Sequence, residues 1–76
     1  MTINEQVKGI LATVKPTKNF DGVNDIIEGG YLDSFELMAL ISMLGEEFDI
    51  EIDVDEIVPE NFNSIEAIAA MVERLK

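Results

Sequence analysis

Ser34 is the side chain in this sequence best placed for chemistry, because it directly follows Asp33 and lies behind the glycine pair Gly29-Gly30. Asp33 with Glu36 three residues later forms a capping box, so Asp33 is expected to cap a helix whose first residue is Ser34. A hydroxyl at that place sits over backbone N–H groups without intrahelical acceptors, at the positive end of the helix dipole. A phosphate ester formed there would be stabilised by the backbone. An Asp-Ser pair is also an ordinary way to start a helix, so the local sequence leaves both readings open. The rest of the composition narrows the chemistry. With no Cys and no His, the chain lacks a thiolate or imidazole nucleophile, a His acid–base catalyst, disulfides and any zinc site built on those ligands. No catalytic residue is assigned, and an enzyme is not expected.

A second group of side chains, Asp49, Glu51, Asp53 and Asp55 with Glu60, has the outline of a calcium loop. It fails in detail. Val54 stands where that loop needs Gly for its sharp turn, and Pro59 precedes the would-be bidentate Glu60. Diffuse screening of crowded carboxylates is expected there, and no specific metal site.

The charge distribution says more than its sum. The 76 residues hold 16 acids and 5 bases, a formal charge of -11, and 15 of the acids lie between Lys18 and Arg74, an interval without one Lys or Arg. Nucleic acid and anionic membrane are not expected as partners, whereas a protein with a basic patch would be steered toward this surface. Solubility alone would also account for such a surface. The length allows a single domain, residues 1–76. The chain starts without the basic and apolar segments of a secretory leader, and its unbroken apolar runs, such as Leu37 to Ile41, are far too short to span a bilayer. A soluble, cytoplasmic monomer is expected.

The elements that must position Ser34 follow from periodicity. Ile3, Val7, Ile10, Leu11 and Val14 mark one face of a helix that begins with a Thr2/Glu5 capping box and stops before Pro16. Residues 16–32 show no period and read as a long loop, expected to be pinned by Phe20, Val23, Ile26, Ile27 and Leu32. The helix opened by Asp33 carries Leu37, Leu40, Ile41, Leu44 and Phe48 toward the core. Its opposite side holds Phe35, Met38, Ala39, Ser42, Gly45 and Glu46, more apolar than a purely solvated face. Ile50 to Asp55 alternates like a strand, but without a partner strand it is expected to be an extended connector. Asp55 to Val58 reads as one helical turn stopped by Pro59, with Ile57, Val58 and Phe62 facing inward. A last helix from Asn63 or Ser64 presents Ile65, Ile68, Ala69, Val72 and Leu75. The fold class is all-α: a small four-helix bundle of three main helices plus one short one.

The stretch Gly30-Tyr31-Leu32-Asp33-Ser34-Phe35, the acidic helix after it, Glu46-Glu47-Phe48-Asp49-Ile50-Glu51-Ile52, and the short and final helices together resemble the acyl carrier proteins over essentially the whole chain. The resemblance implies an acyl-carrier-type bundle with covalent 4′-phosphopantetheine on Ser34, positioned with help from Asp33, and cargo held as a thioester on the arm's thiol. It implies a phosphopantetheinyl transferase, and acyl-transferring, condensing or adenylating enzymes with basic docking patches, as partners. Phe35, Glu36, Met38, Glu46, Glu47, Ile52, Asp55 and Glu56 are the implied contacts. A thiol-bearing prosthetic group would supply what a chain without Cys and His lacks. Fatty acid, polyketide or related biosynthesis is the implied setting. Phe35 in place of the usual Leu, and Ala39 and Gly45 in place of common acids, look like the stand-alone carriers loaded by a dedicated adenylating ligase, including those for D-alanine. An unmodified acidic docking module is the alternative from another class.

Mutual repulsion among acids without cations lowers stability, and much of it is screened over a Debye length of about 10 Å at 0.1 M salt. The melting temperature should therefore rise with NaCl, and more steeply per unit concentration with Mg²⁺ or Ca²⁺. Equal response to the two divalents is the expected outcome of a thermal melt; a marked preference for Ca²⁺ would point to a built calcium loop.

Overall fold

Each long helix begins where a short polar side chain closes its first turn. The computed structural model describes residues 1–76 and contains α1 (Ile3–Val14), α2 (Ser34–Phe48), α3 (Pro59–Phe62) and α4 (Ile65–Leu75), with a 3-10 turn at Val54–Glu56 before α3. Thr2 and Asp33 head α1 and α2 with complete capping boxes, and Ser64 Oγ accepts the Ala67 N–H at 3.0 Å to start α4. Asn63, the other residue considered for that cap, is left outside the helix. Lys15 ends α1 just before Pro16, and Asp49 ends α2 in the left-handed region at φ 54°, which Asp tolerates better than most side chains.

The helices close around a single apolar core. Val7, Ile10 and Leu11 from α1, Leu40 and Leu44 from α2, Phe62 from α3, and Ile65, Ile68, Ala69, Met71 and Val72 from α4 are buried together. α1 packs against both α2 and α4, and α3 packs on α4. Leu37, Ile41, Phe48 and Leu75, expected in the core, are half-buried at its edge, while Met71 is fully buried and was not anticipated. Truncating Leu40 or Leu44 to Ala would remove about 2–5 kcal/mol, a large share of the stability of so small a domain.

The expectations for the connectors hold with two corrections. Ile50 to Asp53 forms no strand; Ile50 and Ile52 pack against the core while Glu51 and Asp53 face solvent, which accounts for the alternation. The short helical turn spans Val54–Glu56 and not Asp55–Val58, and Pro59, expected to stop it, is instead the first residue of α3, where its missing N–H and fixed φ suit a helix start. Val58 consequently lies outside that helix and is exposed, contrary to the inward placement expected of it; Ile57 is half-buried and Phe62 is buried as expected.

The long loop is pinned. Phe20, Ile26 and Leu32 are part of the buried core, with Val23, Ile27 and Tyr31 packed against it. The Phe20 and Tyr31 rings lie 6.0 Å apart at 51°, and Lys18 Nζ stands 5.8 Å from the Tyr31 ring centre. Gly29 is required by space, because a Cβ there would fall 2.6 Å from the Asp25 carbonyl oxygen, and Gly30 turns the chain at φ +75°.

One ion pair joins the end of α1 to the head of α2. Lys15 Nζ lies 2.9 Å from Glu36 Oε2 and 3.1 Å from Oε1, and Glu36 Oε1 also accepts the Asp33 N–H at 3.0 Å. That backbone N–H, and after it Lys15, hold the Glu36 carboxyl below its ordinary value of 4.5. A carboxyl depressed in the folded state contributes stability above its unfolded pKa and loses it as pH falls through the folded one. The stability gap between wild type and Glu36→Gln should therefore stay constant from neutral pH down toward 4.5 and close below it. Paired denaturant titrations across that range check this, and a gap that persists at low pH would mean the charge of Glu36 contributes nothing.

Candidate functional site

The head of α2 is built by the Asp33–Glu36 box. Asp33 Oδ1 accepts the Glu36 N–H at 2.8 Å, and the Glu36 side chain returns to the Asp33 N–H. This arrangement uses two of the free donors at the helix start and leaves the N–H groups of Ser34 and Phe35 without acceptors in the protein. Ser34 occupies the first helical position, is exposed, and its Oγ forms no hydrogen bond to the chain. The hydroxyl is thus accessible from solvent, fixed by a capped helix, and next to backbone donors that suit an attached phosphate. The chain holds no histidine or thiol to activate it.

Around Ser34 the side chains singled out for partner contact divide into three groups. Phe35 and Met38 project into solvent, 82% and 58% exposed, and the long loop does not cover them. Glu46, Glu47 and Asp55 are exposed acids; Glu47 also accepts a 3.2 Å hydrogen bond from Gln6 of α1. Glu36, Ile52 and Glu56 are engaged within the fold. Glu36 is held by Lys15 and the cap, Ile52 packs on the core, and Glu56 makes a two-pronged pair with Arg74 at 2.9 and 3.0 Å while accepting from Asn61. Arg74, and after it Asn61, therefore hold the Glu56 carboxyl low.

The electrostatics of this side are one-signed. The ion pairs use Lys8, Lys15 and Arg74, and the run Glu46, Glu47, Asp49, Glu51, Asp53 and Asp55 has no cationic partner. No group of three or more carboxylates is arranged to hold a metal ion. No helix is long and apolar enough to cross a membrane.

Two features escaped the sequence. Val54, in the 3-10 turn, is 79% exposed and adds an apolar side chain not assigned to the contact face. Gly45, placed on the outward face, is half-buried, and a Cβ there would approach the Ile50 carbonyl oxygen to 3.2 Å. Its smallness accommodates the chain returning past the end of α2, a contact no periodic pattern announces.

Residues 5–72 match the family described as the phosphopantetheine attachment site. The D-alanyl carrier protein of Lactococcus lactis subsp. lactis (strain IL1403) is 37% identical over 76 residues, spanning 97% of this chain and 96% of its own length. The D-alanyl carrier proteins of Lactococcus lactis subsp. cremoris, strains MG1363 and SK11, are 36% identical over 73 residues, 93% of this chain and 92% of theirs. Helix order, a free serine at a capped helix start and full-length similarity agree, and the chain belongs to the phosphopantetheine-binding carrier family, the acyl carrier proteins, whose prosthetic group is covalent 4′-phosphopantetheine.

Proposed function

We propose that Ser34 bears the phosphopantetheine arm and that the loaded protein carries a small aminoacyl group of the D-alanyl class, delivered in the cytoplasm by an adenylating ligase. The observation that carries the attachment point is the exposed, unbonded Ser34 hydroxyl at the first position of a doubly capped helix. Ser34 Oγ would form the bond to the pantetheine-side phosphorus of coenzyme A as the pyrophosphate P–O bond breaks and adenosine 3′,5′-bisphosphate leaves; the serine proton passes to the modifying transferase, while the neighbouring N–H groups of α2 receive the phosphodiester oxygens. The arm supplies a terminal thiol on which cargo is held as a thioester.

One observation favours an aminoacyl cargo over a long acyl chain. The relatives named above are D-alanyl carriers matched along nearly their full length.

The protein with coenzyme A and a promiscuous phosphopantetheinyl transferase should gain the mass of one arm, and Ser34→Ala should gain none while melting close to wild type, because Asp33 and Glu36 keep the cap. Arm attachment to Ser34→Ala would refute the site. No gain by wild type would favour an unmodified docking module. The loaded form isolated from the native host should carry an alanyl mass; a long-chain acyl mass would return the protein to fatty acid synthesis.

Phe35 and Met38, beside Ser34, serve as the apolar centre of the docking face, with Glu46, Glu47 and Asp55 as its acidic rim. Phe35→Ala should weaken docking of the loading enzyme by roughly 1–3 kcal/mol and leave the melting temperature nearly unchanged. Glu46→Gln or Glu47→Gln should mainly slow association and flatten its salt dependence. Thermal melts paired with loading kinetics separate these effects, and a Phe35→Ala protein that melts far lower yet loads normally would move the docking face elsewhere.

A further inference from the structure

Three consecutive backbone N–H groups of the loop before α2 converge on one residue from the far side of the fold. The Ile26 N–H donates to the Asn63 carbonyl at 3.0 Å, and the Ile27 and Glu28 N–H groups donate to Asn63 Oδ1 at 3.0 and 3.3 Å. Asn63 Nδ2 in turn donates to Glu28 Oε1 at 3.1 Å. In effect Asn63 caps the turn at residues 26–30 as an N-cap caps a helix, but from a residue that is distant in sequence. Asn63 is free for this because Ser64 takes the cap of α4.

The turn so held leads directly to the modified end of α2. Ile26 is buried, its carbonyl accepts the Tyr31 N–H at 3.0 Å, Gly30 follows at φ +75°, and Leu32 is again buried one residue before Asp33. Between the Asn63 latch and the Lys15–Glu36 pair, the backbone that presents Ser34 is fixed on both sides.

We infer that Asn63 is a positioning residue for phosphopantetheine attachment, acting through the turn at residues 26–30 to present the Ser34 hydroxyl to the modifying transferase. It rests on Ser34 being the attachment point. Without the Oδ1 acceptor, the turn loses its anchor and exchanges among conformations, so that fewer encounters bring Ser34 in line with the phosphoryl donor. Binding through the α2 face is untouched. The defect therefore falls on turnover and not on affinity for the carrier.

The experiment measures transfer from coenzyme A to wild type, Ser34→Ala, Asn63→Leu and Asn63→Asp, at a temperature well below the melting point of every variant. Asn63→Leu keeps the side-chain volume but has no acceptor, and should lower kcat by about fivefold or more with KM changed by less than about twofold. Asn63→Asp keeps an oxygen for the Ile27 and Glu28 N–H groups, and exposed Glu28 can turn away from the new carboxylate, so its kcat should stay within about twofold of wild type. Amide exchange should accelerate about tenfold in Asn63→Leu at Ile27 and Glu28, with α1 and α4 unchanged, a pattern that a general loss of stability would not give. If Asn63→Leu does not fold, Asn63→Ser, whose shorter side chain withdraws the acceptor, takes its place with the same expectations. Wild-type kcat in Asn63→Leu, or a defect in Asn63→Asp as large as in Asn63→Leu, overturns the inference. Loading of Ser34→Ala would instead overturn the attachment site on which it rests.

Discussion

The reciprocal cap between Asp33 and Glu36 is the interaction on which the arrangement of this protein depends. It fixes the residue at which α2 begins, six residues ahead of the first fully buried leucine of its core stripe. With the start at Ser34, Leu40 and Leu44 enter the core, Phe35 and Met38 point to solvent, and the serine stands beside two unused backbone donors. Lys15 reinforces this by closing on Glu36 from the end of α1, at 27% side-chain exposure where solvent screens the pair only in part. The core stripe of α2 and the exposed position of Ser34 both follow the helix that these two carboxylates cap.

That use of Glu36 changes how the acidic surface is to be understood. The chain has few cations, and it places Lys8, Lys15 and Arg74 on acids that join separate elements: Asp21 in the loop, Glu36 at the head of α2, and Glu56 in the 3-10 turn. A continuous series of acids without cationic partners runs from the end of α2 through the connector to Asp55. Carboxylates paired within the fold and carboxylates left exposed are therefore distinct sets, although both belong to one uninterrupted acidic interval of sequence. Exposed, unpaired carboxylates add to the long-range field that steers a basic partner, while a carboxylate already closed on a lysine adds little.

The core contains no buried polar side chain, so specificity of packing comes from shape and from backbone hydrogen bonds at its margins. The segment between α1 and α2 is the longest without regular structure and contributes Phe20, Ile26 and Leu32 to that core. A loop that buries apolar side chains must find partners for its own N–H groups. In this fold Asn63 supplies three of them, which explains why a long irregular segment can lead into a site that needs a defined position.

What the sequence by itself determined is what depends on residues three or four apart. The starts of α1, α2 and α4, the core stripes, the stop before Pro16 and the place of Ser34 were legible because capping boxes and helical periodicity are local. The candidate site was legible to the same extent: Ser34, Phe35 and Met38 follow from the phase of one helix. Tertiary structure alone decided the rest. Pro59 could end one turn or begin another, and Val58 faces outward because α3 begins after it. Gly45 is small for the returning Ile50 carbonyl, Glu36 and Glu56 are withdrawn from the surface by Lys15 and Arg74, and Asn63 reaches Ile27 across 36 positions of chain. Each of these is a contact between residues that share no helical turn, and their pairing exists only once hydrophobic burial has brought the elements together.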